Sequence, residues 1–252
     1  MSFDIVIPLG PNEFNHIHKQ IEYTKKNVVG YRNIYIVTCN YNIKINDCII
    51  IDENIFPFKQ HIANYFSQYN NKKNRNGWYF QQLIKLYSGI IIPDILDNYL
   101  VLDADVLFLK PTIFLENNKP FFSTGNEYHI PYFEHMKLLN TNFIKSYSKS
   151  GICHHMLFNK KYLNEIFTIV ENEHKEVFWK VFINMVNEHK KHNVNSSESG
   201  ASEYELYFNF MVKNYSNDII IRDLKWENIS KVNWNNNNFN QSLNYVSICH
   251  YF

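Results

Sequence analysis

The stretch "NYLVLDADVLFLK" (98–110) carries two carboxylates, Asp103 and Asp105, between two apolar runs. "YLVL" and "VLFL" have the length and aliphatic character of strands covered on both faces. A lone buried carboxylate is costly and two close together repel, so this stretch needs a neutralising group. A divalent cation is one solution; a capped turn with paired aspartates is another. The spacer, Ala104, is small, and an i, i+2 spacing in extended chain points both carboxylates the same way. In open α/β sheets ligands bind beyond the carboxyl ends of strands, which is where Asp103 follows "YLVL". Hard oxygen donors in that position suit Mn²⁺ or Mg²⁺, which leave positions open for phosphate oxygens.

Working outward, short apolar runs recur between helical patterns. Strands are expected at 3–8, 33–39, 48–52, 99–102, 106–109, 120–123, 154–158, 218–223 and 245–250. Phe14, Ile17, Ile21 and Val28 recur at helical spacing, with Gly30 as the stop. "GWYFQQLIKLYSG" (77–89) reads as a second helix with Phe80, Leu83, Ile84 and Tyr87 on its core stripe and Gly89 at its C-cap. A third helical region runs from about Tyr162 into the 180s, and a fourth starts at Ser202. Strand–helix–strand alternation in the first half implies right-handed βαβ units and a mostly parallel sheet. The tracts at 70–76, 190–200 and 235–240 are loops by composition. No repeat or linker divides the chain, so one α/β domain over 1–252 is expected.

Composition excludes several classes of function. With 252 residues, 45% of them hydrophobic, the chain can bury a full core. A formal charge of +1 gives no electrostatic footing for a nucleic-acid or anionic-membrane partner. Cys39, Cys48, Cys153 and Cys249 form no CxxC pair, which argues against zinc-ribbon and thioredoxin chemistry; such isolated thiols usually pack as small hydrophobes. The opening "MSFDIVIPLG" shows no basic leader, and no apolar run reaches the length of a membrane span. A soluble, cytoplasmic chain is therefore expected, with no transmembrane segment.

Other residues converge on the D-x-D stretch. Trp78, Gln82 and Lys85 fall at i, i+4 and i+7 on the second helix, bordered by Gln81. A lysine beside hydrogen-bonding glutamines suits a phosphate or sugar contact. Arg75, in the preceding loop, is a weaker candidate for the same role. His154 and His155 alternate across a strand, so one faces the site and the other faces away. "STGNE" (123–127) offers polar side chains to a pocket floor. Ser202 and Glu205 match the S-x-x-E capping box, which leaves Glu203 in the first helical turn as the carboxylate available to a substrate. His250 tips the last apolar run, where a folded sheet could bring its imidazole beside Asp105.

Together, "DIVIPLGPNE", "NGWYFQQLIKL", "YLVLDADVLFLKP", "GICHHMLF", "SEYELYFN" and "ICHYF" run in order across nearly the whole chain. The sequence resembles the GT-A class of nucleotide-sugar glycosyltransferases, in particular the small ones of bacteria and large DNA viruses. The resemblance implies a Rossmann-like half (about 1–125) that binds a UDP- or GDP-sugar, and an acceptor-side half (about 126–252). It implies Mn²⁺ or Mg²⁺ held by Asp105 and His250 with Asp103 nearby, and donor contacts from Pro8, Trp78, Gln82, Lys85, Asp103, Ala104 and Asp105. The sugar would pass to a hydroxyl of a glycan or other acceptor, in an inverting reaction with Glu203 as general base. One departure is "PLGPNE", where Asn12 precedes Glu13 in place of an acid directly after the turn. Three alternatives fit less well. A nucleotidyltransferase wants a Gly-rich, Arg-containing loop after its first strand. A non-catalytic carbohydrate-binding domain leaves the aspartates unexplained, and a metal-dependent hydrolase wants a denser ligand set.

Overall fold

The structure is a computed structural model that describes residues 2–67, 75–192 and 199–248. In chain order its strands are β1 (Phe3–Leu9), β2 (Val28–Val29), β3 (Tyr31–Thr38), β4 (Ile49–Asp52), β5 (Asn98–Leu102), β6 (Val106–Phe108), β7 (Thr112–Ile113), β8 (Leu115–Glu116), β9 (Lys119–Ser123), β10 (His155–Asn159), β11 (Ile220–Arg222), β12 (Trp226–Ile229) and β13 (Tyr245–Ile248). Its α-helices are α1 (Ile17–Asn27), α2 (Lys59–Ser67), α3 (Asn76–Ile91), α4 (Ile130–Leu139), α5 (Lys160–His174), α6 (Phe178–His192), α7 (Glu203–Asn214) and α8 (Lys231–Asn235).

The central sheet has the order β10-β5-β1-β3-β4. Strands β5, β1, β3 and β4 are parallel, and β10 runs antiparallel along β5. The expected mixed α/β fold with a mostly parallel sheet is therefore what the chain adopts. Every residue of β1 is buried, because side chains of alternate residues enter separate cores on the two faces. Val6, Val101, Met156 and Phe158 join the helices α3, α5, α6 and α7 on one side. Ile5, Ile7, Leu100, Leu102 and Leu157 meet Ile17 and Ile21 of α1 on the other.

Asp4 interrupts β1 at full burial, and its partners explain why it is tolerated. Arg32 donates to it from Nε at 3.0 Å and Nη2 at 2.6 Å, and the backbone N–H groups of Asn33 and Leu96 donate at 3.1 and 2.8 Å. One carboxylate thereby ties β1 to β3 and to the loop that feeds β5.

A second sheet, β12-β13-β6, carries the end of the described chain back to the D-x-D stretch. β13 is antiparallel to β6, and Ile248 N–H donates to the Asp105 carbonyl at 3.1 Å. His250 and Cys249 lie outside the described residues. Among the described residues no helix is long and apolar enough to cross a membrane.

Three expectations need correction. The helical region from Tyr162 is two helices, because Lys175 adopts a left-handed conformation (φ 56°) that ends α5. Gly89 does not cap the second helix, because α3 runs on to Ile91 with Ile92 at its C-cap. Cys153 is buried as expected of an isolated thiol, but Cys39 is exposed just beyond β3.

Gly151 packs directly against α7: a Cβ there would stand 2.5 Å from Phe208 Cβ and 3.1 Å from the Tyr204 carbonyl. Gly151→Ala should therefore lower stability by about 1–3 kcal/mol, since neither neighbour can yield without moving the helix. Gly77, within α3, has open space around it, and Gly77→Ala should raise stability by about 0.5–1 kcal/mol. Urea denaturation of the two variants measures both signs.

Candidate active site

Parallel register sets the frame of the site. Val6 pairs with Val101, the last pair between β1 and β5, so Pro8 and Asp103 each follow two residues later at the same end of the sheet. On the other flank His155 pairs with Leu102, which brings His154 beside Asp103. Asp103 N–H donates to the His154 carbonyl at 3.0 Å, and His154 holds a left-handed backbone (φ 65°) at this turn. Asp103, Asp105 and His154 offer ligand atoms that all lie within 4.8 Å of one another. Two carboxylates and an imidazole in that space form a donor set suited to Mn²⁺ or Mg²⁺. Ala104 between them is buried, and its small side chain leaves the space to its neighbours.

The histidine pair divides as expected, but a left-handed turn at His154 just before β10, not strand alternation, separates the two rings. His154 Nδ1 lies 3.2 Å from Asp103 Oδ2. Burial opposes its imidazolium, but the hydrogen bond and charge of Asp103 outweigh that and raise its pKa. A bound divalent ion would reverse this logic by favouring the neutral ring. His155 points into the core, bonds the Ser123 hydroxyl at 3.1 Å, and is pushed down to about 3 by burial and the nearby Arg222 charge.

Lys85 reaches the acids from α3. Its Nζ donates to Asp103 Oδ1 at 2.5 Å and to Glu203 Oε1 at 2.7 Å, with only 3% of the residue exposed. Tyr204 O–H donates to the same Asp103 oxygen at 3.0 Å, and the ammonium sits 4.5 Å from the centre of the Tyr204 ring. Burial works against the lysine charge, yet the two carboxylates outweigh it and raise its pKa. For Asp103 burial is likewise overcome, by Lys85 and His154, and its pKa falls well below the usual carboxylate range. For Glu203, 3% exposed, burial wins over Lys85 and its pKa rises.

A cleft of about 530 Å³ opens at the carboxyl ends of β1 and β3, β1 being the sheet neighbour of β5. Pro8 to Glu13, Val37, Cys39, Glu53, α2 and the first half of α3 line it. Pro8 and Trp78 are part of that lining, but Gln82 is not: it is buried and donates to the Ala201 carbonyl at 3.1 Å. Gln81 takes the position expected of Gln82. The face read from i, i+4, i+7 spacing thus twists from the cleft at Trp78 to the acids at Lys85. Arg75 Nη1 donates to Ser199 Oγ at 2.5 Å, with its guanidinium 5.8 Å from the centre of the Trp78 ring.

The helix-start reading holds in part. Ser202 caps α7 by accepting from Glu205 N–H at 3.3 Å. The Glu205 carboxylate itself accepts from Ser150 Oγ at 2.5 Å and Asn209 Nδ2 at 2.7 Å, so it pins the loop before β10. Sequence reasoning missed the Tyr204 hydroxyl, whose only signal was its place between the two glutamates of "SEYE".

A family described as "Family of unknown function (DUF6492)" matches residues 28–220, and the chain belongs to that family. No protein of curated function matches the sequence. Two solved structures to which the chain is similar are both glycosyltransferases. Mouse xyloside xylosyltransferase 1, apo form, is 9% identical over 98% of this chain and 97% of its own, with a TM-score of 0.46. Galactosyltransferase LgtC, in complex with donor and acceptor sugar analogs, is 12% identical over 99% of this chain and 88% of its own, with a TM-score of 0.46.

Removing the lysine charge should expose how much the site depends on it. Lys85→Met leaves Asp103 and Glu203 buried without their shared cation and should destabilise the fold by about 3–5 kcal/mol. Adding Glu203→Gln should recover part of that loss. The sign with pH is set by the depressed Asp103: its contribution is full above the ordinary aspartate value and is lost as pH falls through the folded value. Denaturant titrations from neutral pH into acid should show a shallower decline for Lys85→Met than for the unaltered chain.

Proposed function

We propose that the chain is a divalent-metal-dependent glycosyltransferase that moves a sugar from a nucleoside diphosphate to an acceptor hydroxyl. The observation that carries this reading is the Asp103–Asp105–His154 group at the carboxyl end of a parallel sheet, where a cleft large enough for a nucleotide also opens. In this reading Asp103, Asp105 and His250 hold Mn²⁺ or Mg²⁺, and His154 stands at the same ion. The ion supplies Lewis-acid stabilisation of the diphosphate leaving group. Pro8, Val37 and Trp78 wall the place of a uridine or guanosine base, and Lys85 keeps a positive charge beside Asp103, where the diphosphate meets the ion. A cytoplasmic location belongs to the same proposal.

Glu203 enters as general base of an inverting transfer, and its raised pKa suits proton acceptance near neutral pH. Its ion pair with Lys85 favours a second course, in which Glu203 only positions the lysine and the product retains the donor's configuration. The stereochemistry of the product separates the two.

Ligand-induced stabilisation tests the donor site. UDP or GDP at 100 times its dissociation constant should stabilise the fold by about 2.7 kcal/mol. That gain should appear with Mn²⁺, vanish with EDTA, and vanish in Asp105→Ala. Equal stabilisation with and without metal contradicts the proposal. Glu203→Gln should keep the metal-dependent binding and lower turnover by about 10²-fold if it is the base. An anomer-retaining product assigns it to positioning instead.

A further inference from the structure

Resting on the transferase reading, we propose that the acceptor is itself a sugar and that its ring lies on Trp226, at the metal group's edge. Trp226 opens β12 and pairs in register with Tyr245. The two rings stack with centroids 5.5 Å apart and planes 10° apart. Tyr245 is fully buried and anchored by its own hydroxyl, which donates to the Cys153 carbonyl at 3.0 Å. One face of the indole is therefore braced against the core. Trp226 is nevertheless only half-buried, which leaves part of the indole open to a ligand.

Position makes that open part relevant. The Trp226 ring meets the His154 ring edge-on at 5.1 Å, and His154 is the imidazole of the Asp103–Asp105 group. A sugar on the indole would sit one ring away from the site where the glycosidic bond breaks.

Polar groups suited to sugar hydroxyls lie on the segments that flank it. Asp223, three residues before Trp226, is 70% exposed at its side chain; it accepts from Thr124 Oγ1 at 2.8 Å and pairs with Lys149 at 2.7 Å. Gly125 lets these elements close up: a Cβ there would be 2.2 Å from the Ile152 carbonyl and 3.5 Å from the Trp226 ring. An apolar plate, with a carboxylate–ammonium pair linked to it through Thr124 and Gly125, matches a pyranose, whose C–H face is apolar and whose rim carries neighbouring hydroxyls. None of these residues takes part in the cleft or in binding the ion.

The test separates transfer to a sugar from transfer to water. Hydrolysis of the UDP- or GDP-sugar by the full chain with Mn²⁺ needs the donor site alone. Transfer to methyl α- and β-glycosides of glucose, galactose, mannose and xylose needs the acceptor place as well. Trp226→Ala should lower the ratio of transfer to hydrolysis by about tenfold, and Trp226→Phe should restore most of it. Damage at the metal lowers both rates in step and leaves the ratio where it was. An unchanged ratio in Trp226→Ala overturns the proposal, as does donor hydrolysis by the unaltered chain with no transfer to any of these glycosides. Failure to bind or hydrolyse any donor would instead contradict the transferase reading itself.

Discussion

One buried ammonium joins the three elements that make the site. Lys85 brings α3 to the end of β5 through Asp103 and to the start of α7 through Glu203. Burial raises the cost of each of these charges, and only their mutual contact makes them tolerable. With Asp105 alongside, the carboxylates Asp103, Asp105 and Glu203 outnumber the fixed cation Lys85. That imbalance suits the divalent ion proposed for this place.

The sheet holds this arrangement in position. Alternate residues of β1 and β5 enter opposite cores, so neither strand can slip by one residue without exchanging its faces. Register then places Pro8, Asp103 and His154 at the same end of the sheet. The cleft and the acids share α3: its first turns line the cleft, and Lys85, one turn beyond Gln81, leaves it for Asp103.

Much of this was legible in the sequence where local pattern dominates. The apolar runs around Asp103 and Asp105 read as buried strands because both faces of the sheet are covered, and α3 read as a helix because its stripe is long. Helices α2 and α4 went unread: "KQHIANYFS" is too short for its stripe to recur, and "IPYFEHMKLL" has apolar residues on most of its faces. The exchange of Gln82 for Gln81 could not be read either, since helical spacing gives a face but not what packs on it. Ala201 and the segment before α7 decide that, and they come from more than a hundred residues away. Glu205 shows the same limit: its backbone completes the cap as the motif says, while its carboxylate answers to Ser150 and Asn209.

The central claim is that Asp103 and Asp105 hold a divalent ion which a nucleoside diphosphate shares. Electron paramagnetic resonance of free Mn²⁺, titrated against the protein with UDP or GDP present, measures this without reference to turnover. The account predicts saturable, stoichiometric loss of the free-ion signal for the unaltered chain, and almost none for the folded Asp103→Asn/Asp105→Asn variant beyond what the nucleotide binds alone. Equal uptake of Mn²⁺ by the two proteins would contradict it.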